Sequence, residues 1–238
     1  MSLTTPALSS LYLRLGFAGS AIAISYGGGG ASGPWPLLAS LLLLALLESW
    51  RRWPLILLLL IPAALAFGFG LVPGFQRFAV GVYSVNTGKA LLGVLLMLYL
   101  PWRFAWPWRD RPFLLGAFAI PLLTLLLAFA LDFLHWQPLP ISLVLGFAFT
   151  NLFSTLAEEA FFRGLIQAPL QPRLPRWFCL LLVSVLFGAV HLAGGWLFAG
   201  FATLAGFGYA LSYERSQSIW AAVLVHLGLN VVRVAIGG

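Results

Sequence analysis

The chain has 238 residues, of which 61% are hydrophobic and only 8% charged, with a formal net charge of +7. A soluble domain carries nearer a quarter charged residues, so a water-soluble fold is excluded and a polytopic membrane protein is implied. The arginines lie in short loops between apolar runs, where they orient the chain and face anionic headgroups, so the positive charge does not indicate nucleic acid.

Apolar runs separated by Gly, Pro and charge signals predict nine helices in an all-α transmembrane bundle. In chain order they are Leu11 to Tyr26, Trp35 to Glu48, Trp53 to Leu71, Phe78 to Leu100, Phe113 to Phe133, Pro140 to Leu170, Trp177 to Ala193, Trp196 to Tyr213 and Ile219 to Ile236. The second is short and the Gly194-Gly195 turn is tight, so either is open to a re-entrant reading that leaves eight spans. The first run contains Arg14 with no charged region before it, so a cleavable signal peptide is not expected. Arg51, Arg52, Arg103, Arg109, Arg111, Arg173, Arg176 and Arg215 follow the even-numbered helices, whereas the opposite side carries Arg77, with Arg233 near the C-terminal end. This asymmetry predicts nine spans with the N-terminus cytoplasmic, and the expected location is a bacterial inner membrane. Tryptophans at helix ends fit an interfacial belt, and the Trp- and Arg-rich stretch from Pro101 to Pro112 reads as an interfacial loop. One transmembrane domain over 1–238 is expected, with catalytic core helices over 140–236. The single cysteine, Cys179, excludes an internal disulfide.

Polar residues inside these runs carry the functional signal. Ionisable groups in a membrane cost roughly 2.5–3.5 kcal/mol each on insertion scales and mark function by default. The chain has 6 acidic residues and 3 histidines; two of each fall in three short motifs. On the sixth helix, Glu158 and Glu159 point about 100° apart. Arg163 lies one turn beyond Glu159, which predicts a Glu159–Arg163 pair and leaves Glu158 free to project into a cavity. Asn151, Ser154 and Thr155 share the face of Glu158 as a polar stripe. On the seventh helix Phe187 and His191 share a face, as His226 and Asn230 do on the ninth. Counted from the arginine-rich helix ends, Glu158, His191, His226 and Asn230 lie about 17–22 Å deep, so three helices bring four polar groups to one level.

A carboxylate and an imidazole at one level can hold a water and take its proton, while His and Asn can donate to the oxyanion of an attacked amide. That chemistry is hydrolysis without a protein nucleophile. Ser184 lies on the face of His191, but a Ser-His dyad leaves Glu158 without a role. Zinc held by Glu158, His191 and His226 is the metal alternative. Asp132 and His135 read as interface residues, and Glu48 sits beside Arg51 and Arg52 at a membrane edge. Asn86 and Lys89 are candidates to line a cavity, with Lys89 snorkelling or pairing with an acid. Gly200, Ala205, Gly206 and Gly208 of the eighth helix read as close helix packing.

The ordered motifs Glu158-Glu159-Ala160-Phe161-Phe162-Arg163, Phe187-Gly188-Ala189-Val190-His191 and His226-Leu227-Gly228-Leu229-Asn230 resemble those of the CAAX-protease and bacteriocin-processing intramembrane proteases, which include the Ras-converting prenyl endopeptidase. The resemblance covers about Pro140 to Ile236. It implies a glutamic-type endopeptidase without a cofactor, in which Glu158 and His191 position the nucleophilic water. Arg163 then orients the glutamate pair, and His226 with Asn230 forms the oxyanion site. The implied partners are a protein or peptide substrate and the lipid bilayer. Sorting tails, prenylated C-termini and bacteriocin leaders remain open as substrates. A proton-coupled transporter would spread its acids along a path, and a silent peptide-binding or immunity protein would not need the complete motif set.

Overall fold

The computed structural model describes Gly19 and residues 33–50, 56–75, 77–100 and 118–237. The expected first helix, apart from Gly19, and the loop from Pro101 to Pro112 lie outside the described residues. Helices dominate the remainder: α1 (Trp35–Trp50), α2 (Leu57–Gly68), α3 (Thr87–Tyr99), α4 (Ala119–Ala130), α5 (Ile141–Glu159), α6 (Arg176–Ala189), α7 (Trp196–Ser216) and α8 (Ile219–Ile236). The α-helix α5 continues as a π-helical stretch, Ala160–Gln167, and a final turn, Ala168–Leu170.

Two of these helices, Ile141–Leu170 at 30 residues and Ile219–Ile236 at 18, are long and apolar enough to cross a bilayer. Shorter apolar helices surround them. Leu41, Leu42, Leu58, Leu59, Leu126, Phe178 and Leu181 are exposed on the outside of the bundle. Water would penalise such a surface, whereas lipid tails match it. The inner faces form a continuous core through Leu47, Leu95, Leu96, Phe162, Phe187, Tyr209 and Val223.

The run expected as one helix from Phe78 to Leu100 is instead an antiparallel hairpin followed by a shorter helix. Strand β1 (Arg77–Val80) pairs with β2 (Tyr83–Asn86), Val80 opposite Tyr83, which leaves Gly81 and Val82 as a two-residue loop. Gly81 has φ +60°, as a tight hairpin turn requires at its first position. The β-branched and aromatic residues flanking that glycine favour strands over helix. Asn86 then caps α3, its side chain accepting the backbone N–H of Lys89 at 3.0 Å. It is therefore a cap and not a free cavity residue.

The seventh predicted helix also ends early. Its counterpart α6 stops at Ala189, and the His191 amide donates to the Gly188 carbonyl at 2.9 Å. A 3₁₀ turn, Leu192–Gly194, and Gly195 at φ +97° then reverse the chain into α7. The two helices approach closely at Gly188, where a Cβ would stand 2.7 Å from the Ala199 carbonyl oxygen and 1.8 Å from Thr203 Oγ1. On α7, a Cβ at Gly206 would lie 3.0 Å from Phe187 and one at Gly208 2.7 Å from Pro121, so both read as packing glycines. Gly200 meets no neighbour among the described residues, so close packing is not seen there.

Candidate active site

Glu159 and Arg163 are both fully buried, and Arg163 Nε donates to Glu159 Oε2 at 2.7 Å. The predicted pair is present. The π-helical stretch that begins at Ala160 widens the turn between them and brings a residue four positions on more nearly above its partner. The other Glu159 oxygen is also used: Oε1 lies 2.8 Å from His226 Nδ1. The spacing on α5 gave no hint of this bond, because it joins residues 67 apart in sequence. Glu159 thus ties α5 to α8 and fixes the direction of the His226 ring. Tyr209 stacks on that ring at 4.3 Å and 13°, and Phe187 meets it edge-on at 5.6 Å.

Glu158 is not free. Lys89 Nζ, from the first turn of α3, sits 2.5 Å from Glu158 Oε1, and both side chains are one-fifth exposed. The second oxygen, Oε2, lies 3.9 Å from His226 Nε2. The expectation of an uncompensated carboxylate therefore fails, for a reason outside the motif helix. A cation in the first turn of a helix opposes the helix dipole. Its position there is offset by the facing carboxylate. Lys89, expected to snorkel or to pair with an acid, does the latter; only the identity of that acid was not read from the sequence.

His191 stands just beyond the end of α6. Its Nδ1 lies 2.7 Å from the carbonyl oxygen of Phe187. A carbonyl only accepts, so Nδ1 carries the proton and Nε2 presents a lone pair. The ring also packs against Phe187 at 4.7 Å between centroids. Asn230 Nδ2 donates to Asn151 Oδ1 at 3.0 Å, and Thr155 Oγ1 donates to the same oxygen at 3.2 Å. The polar stripe on α5 is thereby joined to α8. Since an amide nitrogen has two hydrogens, Asn230 retains a second donor.

These groups meet at one place. A cavity of about 240 Å³ is lined by Asn151, Glu158, His191, His226, Asn230, Tyr209 and Arg233 among others. A second cavity, about 220 Å³, lies toward α2 and α3 and is lined by Lys89, Glu158, His191 and mostly apolar residues, including Leu65, Phe69 and Leu92. Glu158 and His191 belong to both walls. Ser184 is elsewhere employed: it is buried and donates to the Leu180 carbonyl at 2.5 Å. Asp132 and His135 form an exposed pair at 3.2 Å. Glu48 accepts from the Tyr99 hydroxyl and links α1 to α3.

Zinc would need Glu158, His191 and His226 to converge on one ion. Among the described residues no three His, Cys, Asp or Glu side chains are disposed to hold one metal ion. Lys89 also places a positive charge against Glu158 where a second cation would have to bind.

The cavity thus gathers Glu158, two histidines and an asparagine, with Glu159 buried behind His226. Residues 138–232 match the Rce1-like family, described as type II CAAX prenyl endopeptidases, and this match bears out the resemblance read from the three motifs. No curated protein and no solved structure matches the chain.

Proposed function

We propose that this protein is a glutamic-type intramembrane endopeptidase that hydrolyses a peptide bond by activated water and needs no metal. The observation that carries the reading is the shared cavity wall of Glu158 and His191. Glu158 Oε2 and the bare Nε2 of His191 hold the water and receive its proton. Lys89 keeps the other Glu158 oxygen fixed. His226, with its Nδ1–H held by Glu159 and a second proton on Nε2, and the second amide hydrogen of Asn230 donate to the oxyanion as the tetrahedral intermediate forms. Arg163 holds the Glu159 carboxylate that orients His226. The proton taken from water then passes to the leaving amine, which completes the cleavage.

The whole of 1–238 acts as one transmembrane domain of eight to nine spans, with 140–236 as its catalytic core. It sits in a bacterial inner membrane with its N-terminus cytoplasmic, as the loop arginines favour. The substrate is a protein or peptide, with a sorting tail, prenylated C-terminus or bacteriocin-type leader as the classes to test. The test compares membrane fractions from cells making wild type or Glu158→Ala, with new protein termini identified by mass spectrometry. Termini that need wild type and vanish with Glu158→Ala, at equal amounts of inserted protein, are the expected result. Identical termini from both would overturn the reading.

A further inference from the structure

Arg233 is not used by the mechanism above. It lies on α8 three residues beyond Asn230 and seven beyond His226, so all three share one face of the helix. Arg233 lines the same cavity and is only partly buried. Its guanidinium has no carboxylate and no carbonyl acceptor among the described residues, whereas Arg163 and Arg176 each hold a glutamate. Other polar groups on the cavity wall include the Tyr209 phenol and the Asn230 amide, both uncharged. Part of the cost of this charge is offset by its place in the last turn of α8, where a cation complements the helix dipole. That explains its tolerance, not its direction into the cavity.

We infer that Arg233 is a specificity-determining residue that receives a carboxylate of the bound peptide. This rests on the proposed peptidase reading, because it takes the cavity to be the peptide site. A planar guanidinium with unused donors matches a carboxylate in a bidentate fork, and it gains strength in a site shielded from water. The distance along α8 from His226 is about 10 Å, the length of roughly three extended residues. The recognised carboxylate therefore lies within a few residues of the bond cut. It can be a chain terminus or an acidic side chain.

The test uses the full chain in phosphatidylcholine nanodiscs and three dansyl-labelled peptides. One is Ala-Leu-Leu-Ala with a free carboxylate, one is the same peptide as its carboxamide, and one is the carboxamide with aspartate as its last residue. Binding is read by fluorescence anisotropy. Wild type should bind at least one carboxylate peptide roughly tenfold more tightly than the plain carboxamide, as expected for a charge-assisted hydrogen-bonded pair. Preference for the first marks a terminal carboxylate, and preference for the third marks a side chain. Arg233→Gln should bring the carboxylate peptide down to the carboxamide, and Arg233→Lys should keep part of the difference. Equal binding of all three by wild type, including no measurable binding, overturns the inference. So does a carboxylate preference that survives in Arg233→Gln. If wild type and Arg233→Gln differ in peptide binding only when the nanodiscs contain anionic lipid, the guanidinium serves headgroups and the inference fails. Glu158→Gln separates the two readings, because it should keep the carboxylate preference while losing hydrolysis. Hydrolysis equal to wild type in that variant would sink the glutamic mechanism, and no hydrolysis by either would sink the peptidase reading; both leave the carboxylate site standing.

Discussion

Replacing Glu159 with glutamine keeps the shape of the side chain and removes its charge. In the folded protein Glu159 and Arg163 have no exposed side-chain surface. The remaining acceptors of Arg163 are neutral and distant: Gln167 Oε1 and the Gly206 carbonyl, each at 3.4 Å. The guanidinium would be left as a buried charge without a counter-ion, a defect of about 3–5 kcal/mol. Against a typical total of about 5–15 kcal/mol, that is roughly a fifth or more of the stability. The His226 bond at 2.8 Å would weaken as well, since its charged acceptor is gone. Reversible unfolding by dodecyl sulfate in mixed micelles, followed by tryptophan fluorescence, measures the loss. Glu159→Gln/Arg163→Met removes both charges and should be less destabilised than Glu159→Gln alone, because the orphaned cation is gone. A Glu159→Gln protein within about 0.5 kcal/mol of wild type would refute the reasoning, as would strict additivity in the double variant.

Lys89→Met should lower kcat by roughly tenfold or more, with inserted protein unchanged, because it removes the charged hydrogen bond that holds Glu158. Lys89→Arg should recover part of the rate, and single-turnover kinetics would check both. Cleavage should survive extensive chelation, and elemental analysis of active protein should find no stoichiometric zinc; loss of cleavage restored by zinc alone would favour a metal mechanism. Gly188→Ala should destabilise the protein by about 1–3 kcal/mol through overpacking between α6 and α7, read in the same unfolding assay.

Much of the site was legible because helical spacing is a strong constraint. The Glu159–Arg163 pair, the shared level of Glu158, His191, His226 and Asn230, and the course of α8 over Ile219–Ile236 all follow from periodicity and loop charges. What escaped was non-local. The bonds from Lys89 to Glu158 and from His226 to Glu159 join distant parts of the chain, and no spacing within one helix encodes them. The hairpin was missed for a different reason. An apolar run shows helix and strand alike, and only Gly81 between β-branched and aromatic residues distinguishes them. The early end of α6 was hidden because Val190, His191 and Leu192 continue an apolar pattern through a turn fixed by the Gly188 carbonyl.

The hairpin bears on how water travels. Tyr83 packs edge-on against Phe147 of α5 at 5.6 Å, and the strand leads on through Asn86 to Lys89 at Glu158. The strand pair therefore runs beside α5 between its first turns and the glutamate. The outer strand is exposed at Arg77, Phe78 and Ala79, and its outward N–H and C=O groups are not part of the two-stranded ladder. Dry hydrocarbon does not accept such an edge; at membrane depth it must border protein or a wet vestibule. Where that border is a vestibule, it would wet the flank of α5 nearest its N-terminus, on the side away from Arg173 and Arg176. Water for the proposed hydrolysis would then reach Glu158 along the hairpin, from the end of α5 opposite Arg173 and Arg176.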